Sequence, residues 1–207
     1  PQSWDDLLKP ELKGQISTAH PSTSGTAFTT LWTQVVLRGS EDAGLDYMKK
    51  MHANVLQYTK SGTAPGQIAG RGEVAVGLVF SHDCVKYRDE GMKDLVVSFP
   101  KEGTGYEIGG VALVKNSKHS EAAKKYIDWA ISADAQNLGQ TVGSNQILTN
   151  PNAKTNDKMA KLDEINLIDY DFAAAAAAKP ELTKRFDEEV AAKDRKSTRL
   201  NSSHIQK

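Results

Sequence analysis

At 207 residues the chain can form one large domain or two small ones. Its 39% hydrophobic and 25% charged residues are those of a globular protein, and no stretch approaches the ~20 apolar residues that span a bilayer. The formal charge of zero hides an asymmetry: Asp194–Lys207 carries four of the 26 basic residues and one of the 26 acidic ones. The rest of the chain is therefore mildly acidic, which argues against nucleic acid as a partner.

The tail 194–207 has a composition unlike the rest. DRKSTRLNSSH is what a sequencing adapter gives when translated, so this stretch is expected to be a disordered artefact, and its sequon at Asn201 carries no meaning. Cys84 is the single cysteine, so no internal disulfide can form. Pro1–Gly14 has neither the basic n-region nor the apolar h-region of a signal peptide and does not begin with Met.

In chain order, strand and helix patterns alternate. Gly14–Pro21 reads as a short strand ending in a polar turn, and Ser22–Gly39 as a helix stopped by Gly39. Glu41–Val55 is a second helix, with Leu45, Met48, Met51 and His52 on one face. Ser61–Gly72 reads as a turn and short helix, Val74–Phe80 as a buried strand, and Asp83–Gly91 as a helix. Asp94–Pro100 is the next expected strand, Lys101–Gly110 is glycine-rich, and Val111–Lys115 reads as a buried strand.

Beyond it the pattern turns helical. Ala123, Tyr126, Ile127, Ala130 and Ile131 form one stripe of a helix over Ser120–Ile131, and Ser132 reads as the N-cap of the next. Ile147–Lys154 is a loop, and a long helix over Phe172–Ala192 holds six consecutive alanines and Pro180. Strands alternating with helices at this spacing predict an α/β fold with a largely parallel sheet.

Four places carry candidate chemistry. Ser22–Ala27 and Lys60–Pro65 both contain Ser-Gly-Thr-Ala where a helix begins. A helix start offers free N–H groups and a positive dipole end, and Gly lets an anion approach the backbone. Ser24, Gly25, Thr26 and Ser61, Gly62, Thr63 are thus either ordinary caps or an anion cradle. Neither segment ends in the Gly-Lys-Ser/Thr of a Walker loop. The third place is FSHD: His82 and Asp83 lie past the end of an expected parallel strand, where open α/β sheets bind ligands, or they simply start a helix. Glu107 stands in the glycine-rich GTGYEIGG as a hinge residue or as an acceptor for ligand hydroxyls.

Catalysis finds little support. Ser81, His82 and Asp83 are consecutive, so they cannot easily converge as a triad, and nothing marks Cys84 as an activated thiol. His20, His52, His82 and His119 are scattered without metal-ligand spacing, so neither a metal nor another cofactor is implied. His20 follows a strand end and is placed to face the same cleft.

Taken together, SWDDLLKPELKGQI, STSGTA, YTKSGTAP, GEVAVGLVFSHD, FPKEGTGYEIGGVALVKNSKHSEAAKKYIDWAIS and ILTNPNAK resemble the periplasmic solute-binding proteins of ABC importers. The similarity is greatest to the ferric-iron-binding-protein-like set and covers nearly all of 1–190. It implies a periplasmic-binding-protein type II fold of two α/β lobes. On that pattern the chain is a fragment, with residues 1–100 as the second lobe and 101–193 as the returning part of the first, including the hinge crossover and terminal helices.

The resemblance also implies a non-enzymatic periplasmic protein. It would be monomeric, peripheral to the membrane, and would deliver a small molecule to an ABC permease. Iron-binding members carry two adjacent tyrosines where this chain has Ser81-His82-Asp83-Cys84, a poor donor set for Fe(III). The His-Asp tip is similar to the hexose-phosphate-binding branch. There His82, Asp83 and Glu107 would hold sugar hydroxyls, and Ser24, Gly25, Thr26, Ser61, Gly62 and Thr63 the phosphate. Because Asp83 and Glu107 would repel a phosphate beside them, both are expected across the cleft from the anion end. A ferric or phosphonate ligand is the alternative within the family, and a hydrolase using His82 and Asp83 the alternative outside it.

Overall fold

A computed structural model describes residues 1–192; the expectation for the tail lies outside them. The β-branched runs ISTA and VLQYT suit a pleated strand and have each other to bond to. β1 (Ile16–Ala19) is central, with β2 (Val55–Thr59) parallel on one side and β3 (Val76–Gly77) parallel on the other. All four residues of β1 are buried, as expected for a parallel strand covered on both faces.

Helices follow each strand. α1 (Gly25–Arg38) starts at Ser24, whose Oγ accepts from Ala27 N–H, and stops at Gly39, which takes the left-handed φ of 84° that a helix C-terminus favours. α2 (Glu41–His52) is capped by Ser40 and buries Leu45, Met48 and Met51 along the expected face. α3 (Ala64–Gly70) follows β2, and α4 (Ser81–Asp89) follows β3. Further on are α5 (Ser120–Ala130), α6 (Ala133–Thr141) with Ser132 as its N-cap, and α7 (Phe172–Glu189), capped by Asp171.

The core gathers where Ile16 of β1, Leu31 of α1 and Leu45 and Met51 of α2 meet Trp4 and Leu7 of the 3-10 turn Trp4–Leu8. α7 joins it from far along the chain. Its Leu182 and Phe186 are fully buried, and Arg185 reaches Glu41 and Asp42 at the start of α2. α7 thus crosses back onto the part of the chain before Pro100.

Three expected strands differ from what is seen. Val74–Phe80 narrows to Val76–Gly77, and neither Asp94–Pro100 nor Val111–Lys115 forms a strand. The apolar pattern is there, but a strand also needs a hydrogen-bonding neighbour, and the three-stranded sheet supplies none for these segments. Val111–Val114 is accordingly exposed rather than buried. The α5 stripe is only partly covered: Ala123, Ile127 and Ala130 are half-buried, while Tyr126 and Ile131 are exposed, as is Trp129 beside them. Conversely, β2 pairs with β1 although the sequence pattern did not single it out.

Candidate ligand-binding site

Because β1, β2 and β3 are parallel, the loops that follow them emerge at one carboxyl edge of the sheet. These loops are 20–24, 60–63 and the start of α4, and they contain most of the candidate residues. They are tied together: Thr23 Oγ1 donates to the carbonyls of His20 (3.3 Å) and Lys60 (3.1 Å). Tyr87 Oη of α4 donates to the Thr63 carbonyl at 3.0 Å.

The two Ser-Gly-Thr motifs meet. A Cβ built on Gly62 would collide with Thr26 Oγ1 and stand 2.7 Å from Ser24 Oγ. Only glycine lets the second loop lie this close to the first. Ser24 is buried and spends its acceptor on capping Ala27 N–H, while Thr26 is half-buried at the start of α1. In the second motif Ser61 Oγ and Thr63 Oγ1 lie 3.0 Å apart. The helix behind it, α3, has only seven residues, so this motif brings hydroxyls and a glycine rather than a strong dipole.

His82 and Asp83 fall in the first turn of α4, just past β3. The His82 ring stacks on Phe80 with centroids 5.7 Å apart, and its Nε2 meets the Gln146 side-chain amide at 3.4 Å. Asp83 is buried beside it, with Oδ1 3.8 Å from His82 Nε2. Burial raises the Asp83 carboxyl above its ordinary range, opposed by the charges of His82 and Lys86. Burial likewise raises the Cys84 thiol, which keeps it protonated and unreactive.

Glu107 arrives from a distant part of the chain. Gly105 N–H donates to Thr33 Oγ1 at 3.1 Å, and Thr29 Oγ1 donates to Glu107 Oε1 at 3.0 Å. Thr33, Thr29 and Gly25 are one turn apart on α1, so residues 105–107 run along that helix toward its N-terminus. There Glu107 Oε1 would lie 2.8 Å from a Cβ on Gly25. This corrects the expectation that Glu107 sits across the cleft from Ser24–Thr26: packing against the threonine row brings its carboxylate to the same helix end. Burial raises the nearby Tyr170 phenol, with the Thr29 hydroxyl lowering it and Glu107 raising it further.

Thr26, Thr29, His82, Glu107 and Gln146 share the lining of one cavity of about 1250 Å³. His20 does not face it. Its Nε2 pairs with Asp187 at 3.1 Å and its ring packs edge-on against Tyr58 and Phe186, so it anchors α7 instead. Thr29 and Gln146 were not singled out from sequence. The spacing of four from Gly25 to Thr29 to Thr33 was a usable signal for the first, whereas a lone glutamine in a loop offers none. Among the described residues no three His, Cys, Asp or Glu side chains gather in a way that could hold a metal ion. No described helix is long and apolar enough to cross a membrane.

Comparison with known proteins identifies the family of the chain. Residues 1–176 match the family described as bacterial extracellular solute-binding protein. An uncharacterized protein of Haemophilus influenzae is 42% identical over 174 residues, covering 83% of this chain and 49% of that one. The Fe(3+)-binding periplasmic protein of Serratia marcescens is 25% identical over 179 residues, covering 84% and 52%. The solved structure of the periplasmic binding protein AfuA from Actinobacillus pleuropneumoniae, with exogenous fructose-6-phosphate bound, matches with a TM-score of 0.86 at 40% identity. That match covers 92% of this chain and 60% of AfuA. The chain spans about half the length of the curated relatives it matches.

Proposed function

Since this chain belongs to the bacterial extracellular solute-binding protein family and has the α/β fold of type II periplasmic binding proteins, we propose that it captures a phosphorylated small molecule, a sugar phosphate, for delivery to an ABC permease. The observation that carries this reading is the meeting of two Ser-Gly-Thr loops on the edge of the sheet that also bears His82 and Asp83. Uncharged hydroxyls and N–H groups at the start of α1 suit a phosphate dianion without charge neutralisation. Asp83 is an acceptor suited to ligand hydroxyls, and His82, fixed by Phe80 and Gln146, adds a second polar contact. The fructose-6-phosphate in the AfuA structure supports the same chemistry.

In this reading residues 1–100, with α7 packed back onto them, form one lobe wall, and the chain between 101 and α7 contributes to the other, with the 101–110 segment as a crossover between them. The protein acts in the periplasm as a monomer, and ligand closure presents it to the permease. No step of catalysis is involved: the Cys84 thiol is held protonated, and Ser81, His82 and Asp83 occupy one helical turn rather than converging on a point. Ferric iron is disfavoured because this tip offers one carboxylate and one imidazole where Fe(III) prefers several anionic oxygens. Calorimetric titration with glucose 6-phosphate and inorganic phosphate tests the proposal. Hydroxyl and phosphate grips acting together require the sugar phosphate to bind more tightly.

A further inference from the structure

We propose that Glu107 is an intramolecular stand-in for the ligand's anionic oxygen, held on the N-terminus of α1 by Thr29 and displaced when the phosphate enters. The inference rests on the reading of Ser24–Thr26 as the phosphate grip. Its basis is that a carboxylate oxygen already lies beside the first turn of α1. Glu107 Oε1 accepts from Thr29 Oγ1 at 3.0 Å and lies where any side chain on Gly25 would press against it. Gly25 is the first residue of a fourteen-residue helix, whose positive end stabilises such an oxygen.

Two anions cannot share that end without repulsion, so a dianionic phosphate binding at Ser24–Thr26 must break the Thr29–Glu107 hydrogen bond. The backbone allows the exchange. Gly105 stays fixed to Thr33, whereas Gly109 and Gly110, on the other side of Glu107, have open space around them. Once displaced, the carboxylate is free to accept from ligand hydroxyls. Glu107 can therefore start at the anion end and finish at the sugar end. The displacement also moves the part of the glycine-rich segment beyond Gly105, coupling phosphate entry to a change in 106–110.

Sulfate is the discriminating probe, because it carries a fixed double charge and no hydroxyls. Titration of the full chain at constant ionic strength should show sulfate binding roughly three- to tenfold tighter to Glu107→Gln than to the unaltered protein, the size of one released hydrogen bond. Thr29→Val keeps the charge but removes the tether, and should shift affinity in the same direction by less. Unchanged, weaker or undetectable sulfate binding in Glu107→Gln would overturn the proposal. If that variant does not fold, Thr29→Val decides alone: tighter sulfate binding supports the stand-in, and unchanged binding refutes it. Loss of glucose 6-phosphate binding in the unaltered protein would instead count against the sugar-phosphate reading, which the sulfate arm does not touch.

Discussion

Gly62 lies against Ser24, 38 residues away in a different loop, so closely that a Cβ on the glycine would stand 2.7 Å from the serine Oγ and collide with Thr26 Oγ1. This contact turns two separate turn motifs into one polar surface at the carboxyl edge of a parallel sheet.

Gly62→Ala should therefore push the two loops apart. The added methyl meets hydroxyls of short side chains, which cannot swing away as a long side chain would. Binding of inorganic phosphate and sugar phosphate should fall together, by about tenfold or more, an effect of ~1.4 kcal/mol. Thermal stability should fall as well, because the clash can be relieved only by shifting the loop against buried Ser24. Titration of both ligands checks it, and a loss confined to one of them would contradict the shared cradle.

Asp83 makes the opposite exchange between binding and stability. Its folded carboxyl is raised by burial above the ordinary 3.8. The native state then holds its proton more tightly than the unfolded state, so stability falls as pH rises through the window between the unfolded and folded values. The cost is fully present above that window and absent below about pH 3.8. Asp83→Asn should melt at a higher temperature than the unaltered protein at pH 7, with the difference fading toward pH 3. The same variant should bind sugar phosphate less tightly. Melting curves across that pH range give the sign directly.

Phe186 ties α7 to the core and touches both His20 and Tyr58 edge-on. It is fully buried, so Phe186→Ala should cost about 3–5 kcal/mol. By contrast Asp187→Asn, which weakens a partly exposed pair with His20, should cost at most about 1 kcal/mol. Denaturant titration of both variants separates an apolar anchor from an ionic one.

Much of this was legible from local pattern. Ser24, Gly39 and Ser132 mark helix ends by chemistry that acts within a few residues, and the Leu45-Met48-Met51 face follows from helical spacing. The helix start that holds His82 and Asp83 also follows from local order along the chain, although β3 ends earlier, at Gly77. What failed was nonlocal. Val111–Val114 has the apolar run of a strand but no partner to bond to, so it lies exposed. Glu107 was set across the cleft from the anion end by charge repulsion, whereas the row Thr33-Thr29-Gly25 draws residues 105–107 along α1. His20 was read from its place after a strand, and only the return of α7 with Asp187 and Phe186 shows where its ring points.

The most direct test is calorimetric titration of the protein with glucose 6-phosphate, inorganic phosphate, a phosphonate and ferric citrate, repeated with Asp83→Ala. A sugar-phosphate binder takes up the first ligand most tightly and loses roughly 2–5 kcal/mol for it, but little for inorganic phosphate, when Asp83 is removed. Tight uptake of ferric citrate or the phosphonate, or equal losses for both phosphates, would contradict the assignment of the His82–Asp83 tip to ligand hydroxyls.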